Sequence, residues 1–375
     1  AFEENLSLGR ERRLAQTGKD FVVTIVASDF AFILTRNLDM PVDGMVETDG
    51  HTTFYIEDGP KDGPLMMFVH GWPELSYSWR HQLPAMARLG FHAVAPDLRG
   101  YGGSSKYGSH ADYSQAKVVE DLLALISTFG SQTAIWVGHD WGSPTVWNIA
   151  SHHPDRCRAV ASLCVPYATL EYGVGRVIEL IDRNVYPMDE YPVGQWDYQL
   201  YYQECFEQAQ STMEADVEKT LTALFRAGDP DTVGKPALTA SIRSSGGWFG
   251  GAGQAPDLPL DLRVISAKDL SVYSEALRES GFFGANSYYM NHEVNTTYAN
   301  TALDRGRLAM PALFIAARYD AVCESVNSPL GRPMRAKCSN LTEAIVDSGH
   351  WMAQECPEAV NDVLEAWLTA DVGTL

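Results

Sequence analysis

Basic residues are scarce in this chain. Its 28 Lys and Arg stand against 48 Asp and Glu, for a formal net charge of −20. That balance excludes a nucleic-acid partner, which needs a basic face for the phosphates, and argues against docking on an anionic membrane. Long apolar runs are missing too. The longest near the start, FVVTIVASDFAFIL (residues 21–34), is broken by Asp29 and falls short of the roughly 20 residues a membrane span needs. The six cysteines, Cys157, Cys164, Cys205, Cys323, Cys338 and Cys356, lie far apart with no C-x-x-C pair. Buried free thiols are therefore expected, not a disulfide scaffold or a zinc knuckle. Unpaired cysteines point to a cytoplasmic location. The chain starts at Ala1 and not Met, which is compatible with a leader removed before it and leaves secretion open.

Other absences narrow the chemistry. No H-E-x-x-H is present, and the adjacent His152 and His153 point different ways on a helix, so no metal is expected. No organic cofactor is implied either. Asn5-Leu6-Ser7, Asn295-Thr296-Thr297 and Asn340-Leu341-Thr342 fit the glycosylation pattern, which short triplets meet often by chance. G-x-S-x-G, the turn that carries a serine nucleophile, is absent as well.

What is present alternates between strand and helix from about residue 44 to 166. LMMFVHG (65–71), FHAVAPDL (91–98), TAIWVGHD (133–140) and CRAVASLCVP (157–166) are short, nearly continuous apolar runs, as in a parallel sheet covered on both faces. Between them, residues 114–130 place Val118, Val119, Leu122, Leu123, Ile126 and Phe129 on one helical face, with Gly130 as a stop. The rhythm then breaks. Residues 167–300 are rich in Tyr, Trp, Glu and Gly, with one amphipathic helix expected over 213–228 and a flexible loop over 244–256. Strand character returns at 310–320 and 341–350, followed by a closing helix at 357–368. The expected organisation is an N-terminal extension (1–40), an α/β core (41–166 and 304–375) and a mainly helical insertion (167–303). Residues 1–40 are expected to pack as a helix or strand on the insertion or the sheet edge.

Within GHDWGS (138–143) an aspartate, Asp140, takes the place where such turns usually carry serine. Small residues at 138, 142 and 143 permit a sharp strand-to-helix turn that exposes the middle side chain. Asp140 acting only as a helix cap is the plainer alternative. A carboxylate that attacks carbon forms an ester, which needs activated water for its removal. His350, in DSGHWM, and Asp320, in RYDAV, follow the last two strands, where active groups of open parallel sheets gather. Their order after Asp140 is nucleophile, acid, histidine. Glu324 is a weaker candidate for the acid, and Glu171 weaker still. The backbone N–H groups of Trp72, in FVHGWPE, and of Trp141 are the candidate oxyanion donors; Pro73 has none to give.

Taken together, HGWPE, DLRGYGGSS, GHDWGS, DYQLYYQE, NSYYMN, RYD and SGHW resemble the soluble-type epoxide hydrolases of the α/β-hydrolase superfamily, over roughly residues 40–370. The resemblance implies an α/β-hydrolase fold: a mostly parallel central sheet flanked by helices, with a helical cap domain inserted after the sixth strand. It also implies hydrolysis of a small-molecule epoxide with water to a vicinal diol. Two cap tyrosines that hold the epoxide oxygen correspond to Tyr198 and Tyr289, with Tyr201, Tyr202 and Tyr288 as neighbouring competitors. A phenol stays protonated at neutral pH and can donate to a leaving alkoxide. Dehalogenases share similar turns and the aspartate, and Trp141 is the side chain that could line a substrate or halide site there. A non-catalytic binding homologue is a third alternative.

Overall fold

The computed structural model describes residues 42–373; the expectations for residues 1–40, the run 21–34 and the Asn5 triplet lie outside the described residues. Eight strands form one sheet: β1 (Val42–Thr48), β2 (His51–Asp58), β3 (Leu65–Val69), β4 (His92–Pro96), β5 (Ala134–His139), β6 (Cys157–Leu163), β7 (Ala312–Ala317) and β8 (Leu341–Val346). Their spatial order is β1-β2-β4-β3-β5-β6-β7-β8. The pairings β1/β2 and β2/β4 are antiparallel and the remaining five are parallel. Every residue of β3, β4, β5 and β7 is buried, which is why these strands read as unbroken apolar runs.

Helices α1 (Gln82–Arg88), α2 (Gln115–Thr128) and α3 (Gly142–His152) follow β3, β4 and β5. Between β6 and β7 the chain leaves the sheet and forms α4 (Gly173–Glu179), α5 (Asp197–Glu204), α6 (Phe206–Glu214), α7 (Val217–Leu224), α8 (Ala267–Ser280), α9 (Phe283–Ser287) and α10 (His292–Ala299). Helices α11 (Arg332–Lys337), α12 (Met352–Glu355) and α13 (Pro357–Trp367) complete the core. This is the α/β-hydrolase architecture, with a helical insertion after the sixth strand.

Three local expectations change. The antiparallel β1–β2 hairpin was not anticipated. Its signal is Asp49-Gly50, at φ of +51° and +78°, the Asp-Gly pair that two-residue hairpin turns favour. On α2, Leu125 is buried and Leu123 only half-buried, because Val118, Leu122 and Leu125 keep the i, i+4, i+7 stripe. The single helix expected over 213–228 is two: α6 ends at Glu214, and Asp216 caps a new start by accepting from Lys219 N at 3.1 Å.

Candidate active site

Asp140 stands at the turn between β5 and α3 with φ of +48°, a left-handed conformation that is strained for any residue with a Cβ. The turn is tight enough that its neighbours must be glycine. A Cβ on Gly142 would collide with Val69 O, and one on Gly71 with the Asp140 side chain. Asp140 is not a helix cap: Trp141 holds that position, without a side-chain capping bond. Instead Asp140 Oδ1 accepts from the Trp72 backbone N–H at 2.7 Å. Of the two expected oxyanion donors, Trp72 alone bonds Asp140 in this structure; Trp141 lies one residue on, at the start of α3.

The other strand ends bring up the rest. His350 Nε2 is 3.5 Å from Asp140 Oδ2, and His350 Nδ1 is 2.7 Å from Asp320 Oδ2. The second Asp320 oxygen accepts from Val322 N and Cys323 N, both at 2.9 Å, so the acid is fixed in orientation. Burial works against charge on both partners. The neighbouring imidazolium and these hydrogen bonds nevertheless hold the Asp320 carboxyl below its ordinary range. In turn Asp320, with Asp140, lifts His350 well above its ordinary 6.5 against the same desolvation. Glu324 plays no part here; it accepts from Asn327 N at 2.7 Å. Glu171 accepts from Ala168 N and Thr169 N, away from the histidine.

Tyr198 on α5 and Tyr289, just after α9, face each other edge-on with ring centroids 5.7 Å apart. Tyr198 is 7% and Tyr289 1% exposed. Burial, with Asp140 among the nearby charges, pushes both phenols well above 10, so they remain proton donors. Of the competitors, Tyr288 is committed elsewhere, donating to Arg99 O at 3.1 Å. Tyr201 packs its hydroxyl against Gly247. Tyr202 lies in the same chamber, stacked on Tyr289 at 4.4 Å and 9°, where it fixes the Tyr289 ring.

Sequence reasoning passed over a second layer. Glu74, from HGWPE, and His139, the residue before Asp140, form a buried pair at 2.7 Å. Glu74 also accepts from Gly71 N (3.2 Å) and from Gln354 Nε2 (3.1 Å). His139 Nε2 reaches His350 O at 2.8 Å. Burial opposes both charges, yet their mutual attraction and hydrogen bond lower Glu74 to about 2 and raise His139 to about 10. The imidazolium therefore donates from both nitrogens, tying the Asp140 turn to the loop that carries His350. His70 is the opposite case. It accepts from Leu98 N at 2.9 Å and bonds Gly71 O at 2.9 Å, and burial lowers its pKa, keeping it neutral. Both histidines were visible in the motifs, but the partners of His139, Glu74 and His350, lie 65 and 211 residues away in the chain.

Two groups among the described residues could present three metal-ligand atoms, His139–Cys164–His350 and Asp320–Cys323–His350. Each needs His350, whose ring already faces Asp320 and Asp140. The six cysteines are free. His152 is bound to backbone carbonyls, Asn148 O at 3.0 Å and Tyr298 O at 2.9 Å. Asn295 is buried and accepts from Gln115 N at 2.8 Å, so its side-chain amide is not presented at the surface. No described helix is long and apolar enough to cross a membrane.

The profile of the alpha/beta hydrolase fold family matches residues 64–355. Epoxide hydrolase A of Mycobacterium tuberculosis is 31% identical over 334 residues, spanning 88% of this chain and 98% of that protein. The chain belongs to the epoxide-hydrolase branch of the α/β-hydrolase family. A mammalian relative in this branch, the bifunctional epoxide hydrolase 2 of Sus scrofa, is 33% identical over 84% of the chain. The chain spans about half, 53%, of that longer protein. Among solved structures, epoxide hydrolase A from Mycobacterium thermoresistibile superposes with a TM-score of 0.72 at 30% identity, covering 88% of this chain and 98% of its own.

Proposed function

We propose that this α/β-hydrolase converts epoxides to vicinal diols through a covalent ester on Asp140. The observation that carries the reading is the line Asp320–His350–Asp140, with spacings of 2.7 and 3.5 Å, facing a pair of buried tyrosines. Asp140 attacks one epoxide carbon while Tyr198 and Tyr289 hold the ring oxygen, and one of them gives the opening alkoxide its proton. Alkylation removes the Asp140 charge that helped keep His350 protonated, so His350 releases its proton and the tyrosine is restored. Neutral Nε2 then takes a proton from water as the oxygen attacks the ester carbonyl carbon. The N–H groups of Trp72 and Trp141 receive the oxyanion. Collapse expels the diol oxygen, which takes the remaining proton of the hydroxyl just added, and Asp140 returns as a carboxylate beside a protonated His350.

His350→Gln should open the ring once and stop. Incubated with an aryl epoxide, the variant should gain the mass of one substrate on the peptide containing Asp140, with steady-state diol formation lowered by at least roughly 10³-fold. A haloalkane incubated in parallel should release no halide. Normal turnover by the variant, or an unlabelled Asp140, would overturn the ester route.

A further inference from the structure

The reacting groups sit in an aromatic chamber. Trp72, Trp141, Tyr198, Tyr202 and Tyr289 are all buried, and one more ring, Trp248, closes it from an unexpected place. Trp248 is stacked on Trp72 at 6.2 Å and 24° and meets Tyr198 edge-on at 5.9 Å and 65°. It therefore touches both the residue whose N–H holds Asp140 and one of the two phenols assigned to the epoxide oxygen. The two faces of this stack are held very differently. Trp72 is locked, its indole Nε1 donating to Asn286 Oδ1 at 2.9 Å. Trp248 rides on SSGGWFGG (244–251), whose backbone is left-handed at Gly246, Gly247, Phe249, Gly250 and Gly251. No described hydrogen bond ties residues 249–258 to another part of the chain, and nearly all of that segment is exposed.

A fixed aromatic platform facing a second aromatic on a weakly tethered, glycine-rich loop is suited to a flat ring. Planar rings stack at about 3.5 Å, whereas a saturated ring of the same carbon count is thicker and has no quadrupole to match. Resting on the epoxide-hydrolase reading above, we propose that Trp248 is the specificity-determining gate of this enzyme. In this role its loop opens to admit an epoxide bearing an aryl group, and Trp248 closes on that ring against Trp72. The substrate class is then aryl-substituted epoxides. Their ring occupies the Trp72–Trp248 side of the chamber while the three-membered ring lies between Tyr198, Tyr289 and Asp140.

The test compares benzyl oxirane with cyclohexylmethyl oxirane, which share chain length and have similarly reactive, unconjugated epoxides. The wild-type protein should favour the benzyl compound in kcat/KM by roughly two- to tenfold, the range expected of one aromatic contact. Trp248→Leu should bring that ratio close to one, chiefly through KM for the aryl compound, and Trp248→Phe should restore it. Circular dichroism and thermal melting check that both variants fold, and the Phe variant decides the matter should the Leu variant not fold. Equal wild-type rates on the two compounds, or a ratio untouched by Trp248→Leu, would overturn the gate while leaving epoxide hydrolysis standing. Turnover of neither compound, with no ester on Asp140, would instead fall on the activity itself.

Discussion

At the scale of single residues, the site works by setting charges against their surroundings. Asp320 and Glu74 are buried carboxylates, each beside an imidazole, His350 and His139, and desolvation alone would neutralise both. What keeps them ionised is reciprocal: each acid faces a histidine that its own charge protonates. The Glu74–His139 pair is the clearest case, because it touches no reacting atom and acts by positioning His350 through its carbonyl. Its pH behaviour follows from the shifts. His139 is raised from 6.5 to about 10, so its contribution to stability is complete below pH 6.5 and lost as pH climbs through 10. Glu74 is lowered from 4.5 to about 2, so its share is complete above pH 4.5 and lost as pH falls through 2. Glu74→Gln should therefore cost about 3 kcal/mol near pH 6, the scale of breaking a buried pair, and progressively less toward pH 10. Denaturant unfolding of both proteins at pH 6, 8 and 9.5 measures this. A penalty that does not shrink with rising pH would show that His139 is not charged in the fold.

At the scale of elements, the joints of the helical insertion concentrate the strain. The chain leaves β6 through Cys164 and Ala168 at φ of +68° and +61°, and returns through Asp304 and Arg305 at +45° and +56°. Tyr167 Oη donates to Gly306 O at 2.9 Å, tying departure to return. Glu171 pins the outgoing joint by accepting from Ala168 N and Thr169 N, both at 3.0 Å. Burial outweighs those N–H bonds and the nearby Lys337, raising its carboxyl from 4.5 to about 7. A raised acid favours the fold while protonated, so stability should decline as pH rises from 4.5 through 7. Glu171→Gln should remove that decline, giving a flatter melting temperature between pH 5 and 7.5; an unchanged slope would place the titration elsewhere. None of this was legible in the sequence, since the strain arises from where the joints must meet. The alternating core was legible because doubly covered strands carry a continuous apolar signature. Asp140, Asp320 and His350 were legible because strand ends follow one another in chain order. Glu74 and His139 were not, because their partnership spans 65 residues and leaves no periodic trace. The division at Glu214 was hidden because Asp216 is one acid among many until its cap is seen.

For the whole molecule, architecture and charge pull in different directions. The sheet gathers the candidate site groups at the carboxyl ends of β3, β5, β7 and β8; β3, β5 and β7 are buried throughout, and the groups stand at spacings of 2.7 and 3.5 Å, the precision that the proposed chemistry needs. The insertion brings the Tyr202, Trp248 and Tyr289 rings against Trp72 and Trp141 at that end. The whole chain carries a formal charge of −20, and no Lys or Arg among the described residues bonds Asp140, Asp320, Tyr198 or Tyr289. A neutral epoxide does not feel that field, but an anionic one must approach against it. Because the repulsion between exposed charges is screened beyond about 10 Å at 0.1 M salt, it should be visible as an ionic-strength effect on approach. With 3-phenylglycidate, kcat/KM should rise by roughly threefold or more between 10 mM and 0.5 M sodium chloride, while benzyl oxirane stays within a factor of about two. An anionic substrate turned over best at low salt would mean that a local cationic entrance, and not the molecule's overall charge, governs access to Asp140.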